Sequence, residues 1–236
     1  MNMFMNPAKR FDSAAHLNDG KVHILLAASG SVATIKLPLI AQALARYENV
    51  SIRIIMTENA RNFLQGQAEE QPHLDSLVKV SGIDGIYFDP DEWSKPWVRG
   101  DKILHIELRR WAHLLLIAPL SANTMAKMAN GMSDNLLLSV IRAWDTTGMI
   151  DMQKKHIMIA PAMNTAMWRH PITKKQLRSI QQDWTDDEES SVITLKPVEK
   201  ELACGDTGAG AMMDWNQIVA RVVDHFQLQK RINGVT

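Results

Sequence analysis

Short unbroken apolar runs recur along the chain, each closed by a cluster of small or polar residues. Val22 to Ala28 (VHILLAA), Leu114 to Ala118 and His156 to Ala160 have the pattern of strands covered on both faces. Ser51 to Met56 (SIRIIM) alternates, Ile86 to Phe88 reads as a short edge strand, and Val192 to Leu195 supplies a last one. Between these runs the period changes to that of amphipathic helices. One helix begins near Pro38, a residue tolerated in a first turn because its missing N–H costs nothing there. Others are predicted around Ile103–Ala112, after Ser121, over Leu136–Trp144 and over Ile218–Phe226. Strands alternating with helices predict an α/β fold: one doubly wound Rossmann-like or flavodoxin-like domain on a parallel sheet. Right-handed crossovers leave few arrangements, and the order 3-2-1-4-5-6 is expected. The boundaries read as a flexible arm over 1–20, the domain over 21–228 and a tail over 229–236.

In such sheets ligands bind beyond the carboxyl ends of the strands, so the polar clusters matter more than their length suggests. Ser29-Gly30-Ser31-Val32 follows the first strand. It is either a plain tight turn or an anion cradle of backbone N–H groups, and one glycine without a G-x-G-x-x-G pattern leaves both open. Thr57 is a natural N-cap ahead of Glu58 and Asn59. Pro119 and Pro161 close two apolar runs in the same manner. Pro119 is expected to stop strand pairing, and Asn123 and Asn164 should emerge on one edge.

Composition removes several alternatives. Twenty-six basic and 26 acidic side chains leave zero net charge, so no field favours nucleic acid or an anionic membrane. No apolar run reaches the ~18 residues of a membrane span, and residues 1–20 make a poor signal peptide. A cytoplasmic protein is expected. The single cysteine, Cys204, excludes an internal disulfide and, lacking partner ligands, gives no zinc site; no metal is expected.

Two residues have open roles on spacing alone. His105 is either a core histidine, the simpler reading, or a working acid–base group. Cys204 is either a small buried hydrophobe or, among Gly205, Gly208 and Gly210, a thiol on a mobile lid. The residue chemistry stops at a mononucleotide-binding enzyme of unspecified reaction.

The segments HIELRRWA (105–112), PLSANT (119–124), PAMN with the following MW (161–164, 167–168) and ACGD-x-G-x-G-AM (203–212) together resemble the phosphopantothenoylcysteine decarboxylases. These belong to the homo-oligomeric flavin-containing cysteine decarboxylases, and the likeness covers roughly 20–225. It implies FMN held by Gly30, Ser31 and Val32, by Thr57, Glu58 and Asn59, by Ser121, Ala122, Asn123 and Thr124, and by Ala162. It also implies a homotrimer with the site shared between subunits. Asn164 would hold the substrate carboxylate, while Ala203 and Met212 would belong to the closing segment. His105 would be the acid–base group of an oxidation to a thioaldehyde. Loss of CO₂ would then leave an enethiolate, reduced with a proton from Cys204.

Related chains of the same likeness inhibit a protein phosphatase, and others decarboxylate peptidyl cysteine. The coexistence of His105, Asn164 and Cys204 favours the small-molecule enzyme, with phosphatase binding left open, and the ACGD segment argues against the peptide enzyme. A flavin prenyltransferase would have no use for Cys204. Departures from the family pattern are His113 in place of the usual Asp, Glu201 where a basic residue is common, and a long 145–155 connection.

Overall fold

Six strands pair in parallel: β1 (Val22–Ala28), β2 (Val50–Met56), β3 (Ile83–Tyr87), β4 (Leu114–Leu120), β5 (His156–Pro161) and β6 (Val192–Thr194). Their order is β3-β2-β1-β4-β5-β6, as expected from the alternation of strands and helices. The computed structural model describes residues 11–186, 189–201 and 207–230. Register places Ile24 opposite Ile52, Leu26 opposite Leu116, and Leu116 opposite Met158.

Because side chains alternate across a strand, the apolar runs divide into two cores. Ile24, Leu26, Ile54, Leu116 and Met158 face helix α1 (Leu37–Leu44) and the closing helix, Trp215–Phe226. Leu25, Ala27, Leu115, Ile117 and Ile159 face the other layer. That layer contains the helices Leu104–Trp111, Ala122–Ala129, Leu136–Arg142 and Pro171–Gln182. Both faces are dry, so continuous rather than alternating hydrophobicity is what these strands need. Each fully buried Leu or Ile contributes about 1.5–3 kcal/mol.

Four local features go beyond or against the sequence pattern. Pro119 does not end pairing, and β4 continues to Leu120, which lies opposite Pro161 after an irregularity in register. A proline lacks only the N–H, and its carbonyl still accepts from Ser29 N at 3.0 Å. Asp89–Pro90 opens a short helix, α4 (Asp89–Glu92), after α2 (Glu58–Arg61) and α3 (Asp75–Val78). The last of these lies in a segment with little pattern. On β2, Ser51 and Arg53 are buried despite the alternation. The Arg53 guanidinium lies 3.9 Å from the Phe11 ring centroid and 5.1 Å from that of Trp111, an aromatic cover for the cation.

Phe11 belongs to the segment expected as a loose arm. The described part of that segment is attached to the domain: Ser13 donates to Glu107 Oε2 from its N–H at 2.8 Å and from its hydroxyl at 2.7 Å. The 145–155 connection is ordered by buried Asp145, which accepts from Gly148, Ile150 and Asp151 backbone N–H groups. His113 replaces the expected acid with an acceptor of another kind. Its Nδ1 accepts from His23 N at 3.0 Å, and burial, together with His23, holds its pKa down at about 4.

Leu116 is fully buried at the centre of β4. Leu116→Ala should lower unfolding free energy by about 2–5 kcal/mol, the usual result of removing a leucine side chain from a rigid core. Urea denaturation checks it, and a loss below about 1 kcal/mol would show that the sheet centre relaxes into the void.

Candidate active site

The strand order reverses between β1 and β4, so the chains leaving these strands diverge and leave a crevice. Ser29 fixes its floor. The Ser29 hydroxyl donates to Pro119 O at 3.1 Å and accepts from Ser121 N at 2.8 Å. Ser31 caps a 3-10 turn over Val32–Lys36, Thr57 caps α2, and Ser121 caps helix α6 (Ala122–Ala129). Caps satisfy one N–H each and leave the remaining first-turn N–H groups directed at the crevice. Gly30 is required by close approach: a Cβ there would lie 2.6 Å from Asn59 Cβ.

These ends border one cleft of about 460 Å³. Gly30, Ser31 and Val32 line it after β1, and Thr57, Glu58 and Asn59 line it after β2. Ser121, Ala122, Asn123 and Thr124 line it after β4, and Ala162 after β5. Every residue expected to touch the cofactor therefore lies on a single surface. The cleft also contains Met163 and Met167 of the PAMN and MW segments, and Phe63, Asp89, Lys127 and Asn135, to which the sequence pattern assigned no role. Asn135 carried a usable signal, since it caps helix α7 (Leu136–Arg142) by accepting from Leu138 N at 2.8 Å. Asp89 accepts from Leu136 N at 3.0 Å. Burial raises its pKa above the ordinary carboxylate value, reinforced by Glu58 and Asp134. Lys127 forms an ion pair with Asp134.

The other expected residues are dispersed. His105 stands in the first turn of helix α5 (Leu104–Trp111) and is not a core histidine. Its backbone N donates to Glu92 Oε2 and its Nδ1 lies 3.0 Å from Glu92 Oε1. Glu92 is nearly buried, with 5% of its side chain exposed against 22% for His105, so the carboxylate sets the ring's orientation. His105 does not line the cleft of its own chain. Asn164 is exposed and caps helix α8 (Thr165–Arg169), its Oδ1 accepting from Met167 N at 2.8 Å. Met212 is buried in the core shared with α1. It follows an antiparallel pair, β7 (Val198–Glu201) and β8 (Thr207–Ala211). Gly210 O of β8 accepts from Met163 N at 3.0 Å. Ala203 and Cys204 lie outside the described residues.

Residues 12–227 match the family profile described as Flavoprotein. The chain belongs to the flavoprotein family. Among relatives, it is 49% identical over 216 residues to a probable thymidylate synthase of Schizosaccharomyces pombe, covering 91% of this chain and 31% of that protein. The chain thus spans about a third of that relative's length. It is 38% identical to phosphopantothenoylcysteine decarboxylase of Mus musculus, covering 92% of this chain and 94% of the mouse protein. Among solved structures it resembles a PPC decarboxylase, a cysteine-to-serine mutant complexed with pantothenoylaminoethenethiol. There the TM-score is 0.72 and identity 40%, over 88% of this chain and 99% of that one. It also resembles the FMN binding protein AtHal3, with TM-score 0.69 and identity 40%, over 88% and 97% of the two chains.

The contact at Gly30 makes a test of the flavoprotein crevice. Gly30→Ala should cost about 1–3 kcal/mol of stability through overpacking. Asn59→Ala retains the obstructing Cβ and should not relieve it, whereas Asn59→Gly in the same background should. Thermal denaturation of the single and double variants checks this.

Proposed function

We propose that this chain is an FMN-dependent phosphopantothenoylcysteine decarboxylase, forming 4′-phosphopantetheine on the route to coenzyme A. The observation that carries the proposal is the cleft at the strand-order reversal, bordered by all the strand-end residues that the family resemblance assigns to the cofactor. The 38–40% identity to chains named for this reaction supports the same reading. The donor set fits FMN: first-turn N–H groups of α6 favour its phosphate, and Ser31, Thr57, Asn59 and Asn123 supply polar groups beside the apolar Val32, Phe63, Met163 and Met167. When bound, FMN supplies a reversible two-electron sink for the thiol-bearing carbon, which lets the carboxylate leave without an unstabilised carbanion.

The chain's own groups do the positioning and the proton transfers. With Nδ1–H donating to Glu92, His105 keeps Nε2 free to take the proton released as the thiol-bearing carbon is oxidised. Asn164 commits Oδ1 to Met167 N–H, so its Nδ2–H₂ group is the one left to donate to a substrate carboxylate. Cys204 is the acid that protonates the enethiolate after CO₂ has gone. His105 is absent from the cleft of its own chain, and this supports a site completed by a neighbouring copy, as in a homotrimer. We place the enzyme in the cytoplasm. Among the described residues, no helix is long and apolar enough to cross a membrane. A protein phosphatase remains a candidate second partner through the family resemblance alone.

The purified protein should be yellow, release FMN on denaturation, and convert phosphopantothenoylcysteine to 4′-phosphopantetheine, as read by mass spectrometry. A protein that fails to take up added FMN would overturn the proposal. Cys204→Ser should still release CO₂, because the first half needs no thiol. A serine hydroxyl is a poor acid beside a thiol of pKa ~8.5, so the product should run two mass units below 4′-phosphopantetheine. Normal product at the wild-type rate would remove Cys204 from the chemistry.

His105→Asn should lower kcat by about 10²–10⁴-fold with FMN content unchanged. Glu92→Gln, which loses the charge and one of the two acceptor oxygens that hold His105, should retain more activity than His105→Asn. Stopped-flow flavin absorbance separates them, and rapid bleaching in His105→Asn would remove that residue from the oxidative half.

A further inference from the structure

At the amino-terminal end of β1, about 20 Å along the strand from the cleft, three potential ligand side chains converge. Asp19 Oδ2 lies 3.4 Å from His16 Nδ1 and 3.0 Å from His23 Nε2. All three ligand atoms fall within 4.8 Å of one another. Neighbouring corners of a zinc tetrahedron, built from bonds of about 2.0–2.1 Å, are separated by about 3.3 Å. The two separations from Asp19 are within a few tenths of an ångström of that value, and the two imidazole nitrogens lie within 4.8 Å of each other.

The second ring nitrogen of His23 makes the case. His23 Nδ1 is 3.1 Å from the Trp111 carbonyl oxygen, a partner that only an N–H can satisfy. A neutral imidazole has a single N–H. In that form Nε2 turns a lone pair towards the Asp19 carboxylate 3.0 Å away, and the space between the two suits a cation, either a second proton on the ring or a metal ion in its place. The surroundings prevent the ring from turning aside. It stacks on Trp111 at 4.6 Å and on His113 at 4.9 Å between centroids. Asp19 is fixed in turn, its Oδ1 accepting from Lys21 N at 3.0 Å. A histidine whose other nitrogen donates to a backbone carbonyl is the usual outer-shell arrangement of a metal ligand.

We propose that His16, Asp19 and His23 bind a divalent transition metal, Zn²⁺ by preference, with water in the remaining position. Two imidazoles and a carboxylate suit zinc and exclude the all-oxygen sites of Mg²⁺ and Ca²⁺. His23 is buried, whereas His16 and Asp19 reach solvent, so a hydrated ion has a path in. The bound ion would join the turn around His16 to the start of β1, strengthening the attachment already made by Ser13 to Glu107.

The test uses chelator-treated full-length protein titrated with Zn²⁺ by calorimetry, and with Co²⁺ for its visible bands to the red of the flavin. Wild type should take up one equivalent and show tetrahedral Co²⁺ absorption. It should also unfold at a higher temperature when Zn²⁺ is added. His16→Ala and Asp19→Asn, made at the ligands nearer the surface to spare the core, should each weaken uptake at least about tenfold. They should also lose the thermal shift while keeping their flavin content. No Zn²⁺ uptake by wild type, or uptake of unchanged affinity and stoichiometry in both variants, would overturn the proposal.

Discussion

One buried serine joins the two halves of the sheet where they must part. Ser29 is fully buried; its N–H and hydroxyl both reach Pro119 O, and its oxygen receives Ser121 N–H. Strand order reverses between β1 and β4, so the loops leaving them turn in opposite directions and would otherwise expose unpaired backbone groups. A buried polar group left without a partner costs about 1–3 kcal/mol. The Ser29 network removes that cost on both strands at once. Gly30 and Ser121 then begin the two loops from fixed points, and the cleft takes its shape between them. Cofactor binding in this fold thus begins as a hydrogen-bonding requirement of the sheet.

Around that fixed floor the walls are built from helix caps and small residues, joined by Phe63, Met163 and Met167. Ser31, Thr57, Ser121 and Asn135 each use a side-chain oxygen on a backbone N–H. The same residues that start the helices therefore also border the cleft, and stability and binding impose a common composition there. The groups proposed to act on the substrate are held differently. His105 depends on Glu92, and Asn164 on its own helix terminus. Neither is part of the cleft wall in its own chain, which supports the proposal of a site completed by a second copy.

The end of β1 remote from the cleft is equally ordered. Phe11 covers Arg53, Ser13 bonds Glu107, and His23 lies against Trp111 and His113. Residues ahead of the first strand therefore complete the core face that the alternation on β2 leaves polar. A metal at His16, Asp19 and His23 would act on this same junction.

Much of this was legible in the chain because it depends on local period and local caps. Continuous apolar runs specify strands covered on both faces, and small polar clusters after them specify where a ligand can sit. That is why the strand order and the Gly30, Thr57 and Ser121 positions could be named without coordinates, whereas Ala162 came from the family resemblance. Cys204 and Ala203 stood out by motif alone and lie beyond the described residues. The tertiary structure decided whatever depends on partners distant in sequence. Glu92 beside His105 is thirteen residues away, and Asp89 reaches Leu136 across 47. Pro119 read as a stop because a proline has no N–H, yet its carbonyl, 90 positions from Ser29, keeps the strand paired. His16, Asp19 and His23 have the i, i+3, i+7 spacing of a helical face, yet no helix spans them, since the turn over Ser13–His16 ends before β1 begins at Val22. Their convergence exists only once the chain has folded back on itself.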